Sequence, residues 1–490
     1  MKSRPFIFFS SILIICYYIL EESRNRGEQR MEKIRLLHTN DLHSHLENWP
    51  KIRRFLDQRK REAVLNNETI VTVDLGDFVD RWHPLTEATS GQANVELMNQ
   101  IGYDAVTIGN NEGVGSSKDE LNHLYDHANF DVLLANLFDK GTLQMPKWAK
   151  TSKIITSRKG TKIGLVALTA PFPLTYNPNG WDIRFPMDLL PELVSELRDK
   201  VDILVLMSHL GKNDDRQIAQ AFPEIDIILG SHTHHLFETG EVVNGVQLAA
   251  AGKFGQYVGD IVLEVDEEHR LQKSTVRAVP TSSMTEFPED QIEIDGYLER
   301  GHTLLKAKKV ANIPHKLTLG ETGEHLLIDA TLQAVKERAK TEVSILNTGL
   351  FLSSIDQGIV NQDQLHTALP HPMHLIRVTL LGKDVIRLVL EMERNRNFLR
   401  NYPIIGMGFR GKIFGEIHYS GIEFDEVNRQ VRWLGEPVME ESEYVFATVD
   451  HFLFIPFFPT IEIAGTCEFL FPEFIRSVLG DSLKSHYPIN

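Results

Sequence analysis

Asp41-Leu42-His43, Gly76-Asp77, Gly109-Asn110, Ser208-His209 and Gly230-Ser231-His232-Thr233-His234 bring carboxylate, imidazole and amide side chains to the ends of apolar runs. Such oxygen and nitrogen donors suit zinc, manganese, iron or cobalt. A lone Gly-Asp or Ser-His recurs by chance, but this many together in one stretch of chain form a pattern. Asp41 and His43 are two residues apart, as are His232 and His234. In an extended strand end each pair therefore points to one side. A carboxylate such as Asp77 can bridge two metals roughly 3.5–4 Å apart. Solvent held between such ions loses a proton near neutral pH and attacks phosphorus in line, while the ions neutralise phosphoryl charge. The expected chemistry is phosphoester hydrolysis on two divalent ions, manganese or zinc first, with cobalt, iron or magnesium as alternatives.

The elements that must position these groups are legible as a pattern. From residue 33 to about 265, short apolar runs alternate with amphipathic stretches: IRLLHT, TIVTVDLG, DAVTIGN, DVLLAN, KIGLVALT, VDILVLMSH, IDIILGSH and GDIVLEV. Runs of this length, rich in Val, Ile and Leu and ended by turn residues, read as buried strands of an α/β sheet. The ligand-type residues stand at the carboxyl ends of these strands, where open α/β sheets collect functional groups. Helices are expected at, for example, 50–61 and 191–200. Residues 286–312 are charged and helix-compatible, and read as a linker helix with no strong strand. Residues 313–490 form a second domain with its own apolar runs VSILNTG, IRVTLLG and YVFATVD.

The chain has 490 residues, enough for two or three domains with their own cores. Its net charge of −16 argues against a nucleic-acid polymer as partner, because binding a phosphate backbone needs clustered Lys and Arg. A small phosphate ester is compatible, since bound metal ions invert the local field. Cys16 and Cys467 make no disulfide framework and no zinc ribbon, so a metal site must use His, Asp and Asn. Lys2 and Arg4 precede an apolar run over 5–20, followed by EESRNRGEQR. Three readings of residues 1–30 stand side by side: a membrane anchor contacting the bilayer through 5–20, an export signal, or an extension upstream of a true start at Met31. The first two put the body at the cell membrane or outside it, the third in the cytoplasm.

The ordered set HTNDLHSH, DLGD, GNNE, SHLG and GSHTH resembles the 5′-nucleotidase family of calcineurin-like metallophosphatases, over nearly the whole chain after residue 31. The resemblance implies a four-layer α/β/β/α metallophosphatase domain over 31–285. It also implies a smaller α/β (α+β) 5′-nucleotidase C-terminal domain over 313–490 that binds substrate. It implies that Asp41, His43, Asp77 and His234 hold one metal, and Asp77, Asn110, His209 and His232 the other, with Asp77 as bridge. The implied activity releases nucleoside and phosphate from nucleotides. Hydrolysis of 2′,3′-cyclic nucleotides or nucleotide-sugars is the alternative, and a metal-containing nucleotide-binding protein with weak turnover is the alternative from another class. The partner expected is a small nucleotide or phosphate ester. Oligomeric state has no signature in the sequence.

The chain departs from the family in three places. The family carries Gly-Asn-His-Glu with an aspartate further on, a dyad that stabilises the transferring phosphoryl group. Here Gly109-Asn110-Asn111-Glu112-Gly113-Val114 puts Asn111 at the histidine position and Val114 at the aspartate position. Asn111 donates one neutral hydrogen bond, and losing a transition-state donor costs about 10²–10³ in rate. Either Asn111 is the weaker donor, or His83 or His123 moves in, or the substrate needs no dyad. The catalytic residues expected are Asn111 and Asp77. In the second domain the family stacks a base between two Phe rings, for which Phe414 and Phe452 are the candidates. Asn347 resembles the family's base-holding Asn, although the arginine of that stretch is absent. Arg377 and Arg410 are candidate phosphate or sugar contacts. The family's Gly-Gly-Asp-Gly turn is replaced by FIPFFPTIE. His371 and His374 read as loop residues, because Pro370 and Pro372 oppose a helical pair.

Overall fold

The computed structural model describes residues 31–320, 323–404, 406 and 408–489. The expectations for residues 1–30, of an anchor, a signal or an upstream extension, lie outside the described residues. Among the described residues no helix is long and apolar enough to cross a membrane.

Strand Glu32–Thr39 explains the layering. Its Ile34 and Leu36 pack in one core and its Leu37 in another, so both of its faces are buried. That is why the parent run reads as almost continuously apolar. It pairs in parallel with Thr69–Asp74 and antiparallel with Tyr257–Val265 at the centre of a seven-stranded sheet. Ile34, Leu36, Val71 and Val73 meet Leu165, Ile203, Val205 and Leu229 of a second, six-stranded sheet. In that sheet Lys162–Thr169, Ile203–His209, Ile227–Gly230 and Val246–Ala249 run parallel. Helices cover both outer faces. Trp49 and Ile52 of Trp49–Leu65 and Leu97 of Gln92–Ile101 pack with Leu37. Leu190 and Val194 of Pro186–Arg198 and Ile218 of Lys212–Ala221 pack with Leu204 and Leu206. The layers are α/β/β/α.

Both expected helices form with shifted ends. Trp49–Leu65 carries Pro50 in its first turn, where a missing N–H costs nothing. Pro186 likewise opens Pro186–Arg198 before the expected start, and Leu190, Val194 and Leu197 recur at helical spacing on its buried face.

The second domain is built on one five-stranded sheet, ordered Ile417–Ser420, Ser344–Asn347, Glu443–Val449, His374–Leu381, Thr466–Phe474. Helices Leu327–Ala339, Gly382–Leu399 and Ile475–His486 share its core through Val335, Leu388 and Leu479. His374, expected in a loop, opens a strand. The stretch 286–312 holds the helix Pro288–Ala307 but also most of the strand Lys309–Ile313, which pairs antiparallel with Gly358–Asn361. The strand forms because Ala311 and Ile313 alternate inward.

The domains meet at a charged seam. Glu87 of the first accepts hydrogen bonds from Arg81 at 2.7 Å and from Arg476 of the second at 2.6 Å, with Arg476 almost fully buried. His366 Nε2 donates to the Arg81 carbonyl at 2.9 Å. Beside this seam the domains enclose a cavity of about 490 Å³.

Candidate metal centre

The carboxyl ends of Glu32–Thr39, Thr69–Asp74, Ile203–His209 and Ile227–Gly230 converge on one another, and Asn110 and Asn111 beside them line that cavity. Asp41, His43 and His234 offer ligand atoms within 4.8 Å of one another, and Asp77, His209 and His232 do the same. Asp77 Oδ2 lies 3.5 Å from His43 Nε2 and 3.4 Å from His209 Nε2, so one carboxylate oxygen stands between the groups.

The backbone is bent to make this arrangement. Asp41, His43, Asp77, His232 and His234 all adopt left-handed φ, between 49° and 71°. Residues with a Cβ adopt that region at a cost, and such positions cluster at functional sites. Gly109 allows the close approach: a Cβ there would stand 2.0 Å from Asp77 Oδ1 and 2.4 Å from His209 Cε1. Glu112, buried, ties the loops together by accepting from the backbone N–H groups of Asp77 (2.9 Å), Val79 (2.9 Å) and Gly109 (2.8 Å).

The donor set fits a divalent cation. His209 Nδ1 donates to the Leu75 carbonyl at 2.7 Å, which fixes the ring and turns Nε2 toward Asp77. Asn110 Oδ1 and His209 Nε2 are buried atoms with no hydrogen-bond partner, a costly arrangement without a ligand. His43 Nε2 and His234 Nε2 face each other at 3.0 Å, and two lone pairs at that distance need a proton or cation between them. Burial pushes Asp41 up to about 6. Burial opposes charge on His209 too, but the adjacent Asp77 carboxylate overrides it and raises the ring to about 10. Burial likewise pushes Asp77 up, yet His209 and His43 hold it well below the ordinary carboxylate range. His232 and His234 are lowered by burial to about 4 and about 3, leaving neutral rings at physiological pH.

Asn111 lines the cavity, with its Nδ2 2.9 Å from His43 Nδ1 and its backbone N–H donating to Asp77 Oδ1 at 2.8 Å. Neither histidine moves in beside it. His83 Nδ1 caps helix Pro84–Thr89 by accepting from Leu85 N at 3.2 Å, and His123 is exposed on helix Lys118–Leu124. Near Asn111 the cavity wall instead carries Arg410 and His374 from the second domain. His374 Nε2 reaches the Val114 carbonyl at 3.3 Å.

Of the expected substrate residues, only Arg410 lines this cavity. Phe414 and Phe452 do not form an open clamp: both are fully buried, 5.7 Å apart and inclined at 60°, with Phe458 packed on each. No slot for a planar base lies between them. Asn347 is fully buried and spends its Nδ2 on the Phe414 carbonyl. Arg377 pairs with Glu468 at 3.5 Å on the sheet of the second domain.

Sequence reasoning missed Asp80, Glu112 and Asn40. Asp80 Oδ2 lies 3.2 Å from His43 Nδ1, and Asn40 Nδ2 donates to Asp41 Oδ2 at 2.8 Å. Each sits within three residues of a singled-out position, which was the available signal.

The family described as calcineurin-like phosphoesterase matches residues 34–236, and the 5′-nucleotidase C-terminal domain matches 307–454. The uncharacterized metallophosphoesterase YunD of Bacillus subtilis is 36% identical over 91% of this chain and 98% of its own length. A 5′-nucleotidase of Vibrio vulnificus is 25% identical over 72% of this chain and 74% of its own. In fold, a putative 5′-nucleotidase from Staphylococcus aureus superposes with a TM-score of 0.64 at 18% identity, covering 92% of this chain and 97% of that one.

Proposed function

Because the chain belongs to the calcineurin-like metallophosphoesterases that carry a 5′-nucleotidase C-terminal domain, we propose that the phosphoesters it hydrolyses are those of nucleotides. The reading assigns one divalent ion to Asp41, His43 and His234 and another to Asn110, His209 and His232, with Asp77 shared. The observation that carries it is the position of Asp77 Oδ2, 3.5 Å from His43 Nε2 and 3.4 Å from His209 Nε2. The oxygen and imidazole donors favour manganese or zinc. When bound, the two ions supply Lewis acidity, polarising the ester and activating water.

The remaining roles belong to the chain. Leu75 and Asp80 orient His209 and His43 through their second nitrogens. Glu112 holds the loops that carry Asp77 and Asn110. Asn111 gives the phosphoryl group a neutral hydrogen bond. Arg410, which lines the same cavity and pairs with Asp80 at 2.6 Å, keeps further N–H donors that can reach phosphate oxygens.

The test is chromatographic product analysis with the purified protein, with manganese or zinc and with chelator: nucleoside and phosphate from 5′-nucleotides, ring-opened mononucleotide from 2′,3′-cyclic nucleotides, mononucleotide and sugar phosphate from nucleotide-sugars. Metal-dependent release favouring 5′-nucleotides is expected. Preference for another class would reassign the substrate. No product from any of the three classes, from protein carrying two ions, would leave a binding role.

A further inference from the structure

The cavity is lopsided. Its metal end carries Asn110, Asn111 and Arg410, while the rest of its wall is largely apolar. Phe172 and Leu174 of the first domain and Phe454 of the second line it, and all three are well exposed for large apolar residues, Phe172 at 40% and Phe454 at 46%. Phe172 reaches back to the metal end, its ring centroid 5.7 Å from that of His232. It is also held stiffly. Pro171 and Pro173 flank it, and it sits at the cap of the short helix Pro173–Tyr176. Prolines restrict the free chain, so presenting this ring costs little further ordering. Phe454 ends the helix His451–Phe454 and stands two residues from the buried Phe452.

Exposed rings from two domains on one cavity, with a phosphate-type site at its end, are what a flat apolar leaving group would cover. We infer that the aromatic part of the substrate is received by Phe172 of the first domain and Phe454 of the second, so that both domains jointly select the leaving group. This rests on the hydrolase reading for placing phosphate at the metal end, and replaces the expected Phe414–Phe452 clamp with residues that share a wall. It names the substrate class as phosphoesters of nucleosides, or of alcohols with a similarly flat ring system. Sugar phosphates without a ring to stack are the poorer substrates.

Adenosine binding to the full-length protein, followed by calorimetry without added metal, tests this apart from catalysis. Both rings are exposed, so F172A and F454A take little from a core. Each is expected to weaken adenosine on the order of tenfold, as loss of one stacked ring does. Each is also expected to lower the preference for AMP over ribose 5-phosphate in kcat/KM by a similar factor. Adenosine that fails to bind, or binds both variants as it binds the original protein, overturns the inference. Adenosine binding that responds to both variants, in a protein that turns over no nucleotide, upholds it and overturns the hydrolase reading instead.

Discussion

Arg410 of the second domain donates through Nη2 to Asp80 Oδ2 of the first at 2.6 Å. The same carboxylate oxygen lies 3.2 Å from His43 Nδ1, so the second domain touches a ligand-type histidine through one intermediary. Burial pushes Asp80 up, but Arg410 and His43 outweigh it and hold the carboxyl below its ordinary value. D80N and R410Q are each expected to lower kcat/KM by about 10–100-fold. Their double variant should lose less than the product, as coupled groups do. Strict additivity in a double-mutant cycle would show that the contact carries no coupling.

Asn111 leaves room for improvement at the transition state. N111H restores a donor that can carry charge, and is expected to raise kcat at least about tenfold, a part of the 10²–10³ that such donors supply. Steady-state kinetics with metal content measured in parallel read this directly. An unchanged or lower kcat at full metal occupancy would show that Arg410 already fills the role.

Removing metal should destabilise the first domain, because Asp41 and Asp77 are buried carboxylates and a cation neutralises them. Chelator is expected to lower the unfolding midpoint, reflecting about 2.7 kcal/mol at a hundredfold excess of ion over its Kd. D77N should bind fewer ions by elemental analysis and show a smaller chelator-induced shift. A midpoint indifferent to chelator in the original protein would count against ion binding at this cluster.

His371 sets a pH limit on the second domain. Its Nε2 donates to the Leu350 carbonyl at 2.7 Å, and its Nδ1 accepts from the Arg410 backbone N–H at 2.8 Å. The ring must therefore be neutral, and burial lowers it to about 3. Because the folded value lies below the unfolded one, its contribution is complete above about pH 6.5 and is lost as pH falls toward 3. Denaturant titrations should show stability falling over that window by up to about 1.4 kcal/mol per pH unit from this group. H371Q should flatten the slope. An equal slope in both proteins would remove His371 as a contributor.

The layered first domain was legible because its central strands are buried on both faces and so leave nearly unbroken apolar runs, several of which end where a ligand-type residue begins. The left-handed backbone at Asp41, His43, Asp77, His232 and His234 was not, since Asp and His carry no mark of it as Gly does. The Asp80–Arg410 contact spans 330 positions and leaves no local trace. Phe452 and Phe454 show the limit most sharply. They are two apart on a helical turn, so they face nearly opposite ways, one into the core and one into the cavity. The identity of a ring says nothing of which way its helix is turned.

The order of the parts along the chain also dictates an order of assembly. Every ligand-type residue from Asp41 to His234 belongs to the first domain, whereas Arg410 and Phe454 come late in the sequence. Domains emerging from the ribosome tend to fold in sequence, N-terminal unit first. The nascent first domain therefore sets out its ligand-type residues and Phe172 while Arg410 and Phe454 are still being synthesised. Under the proposed function, the metal-holding half of the site is in place before the second domain adds its share of the cavity wall.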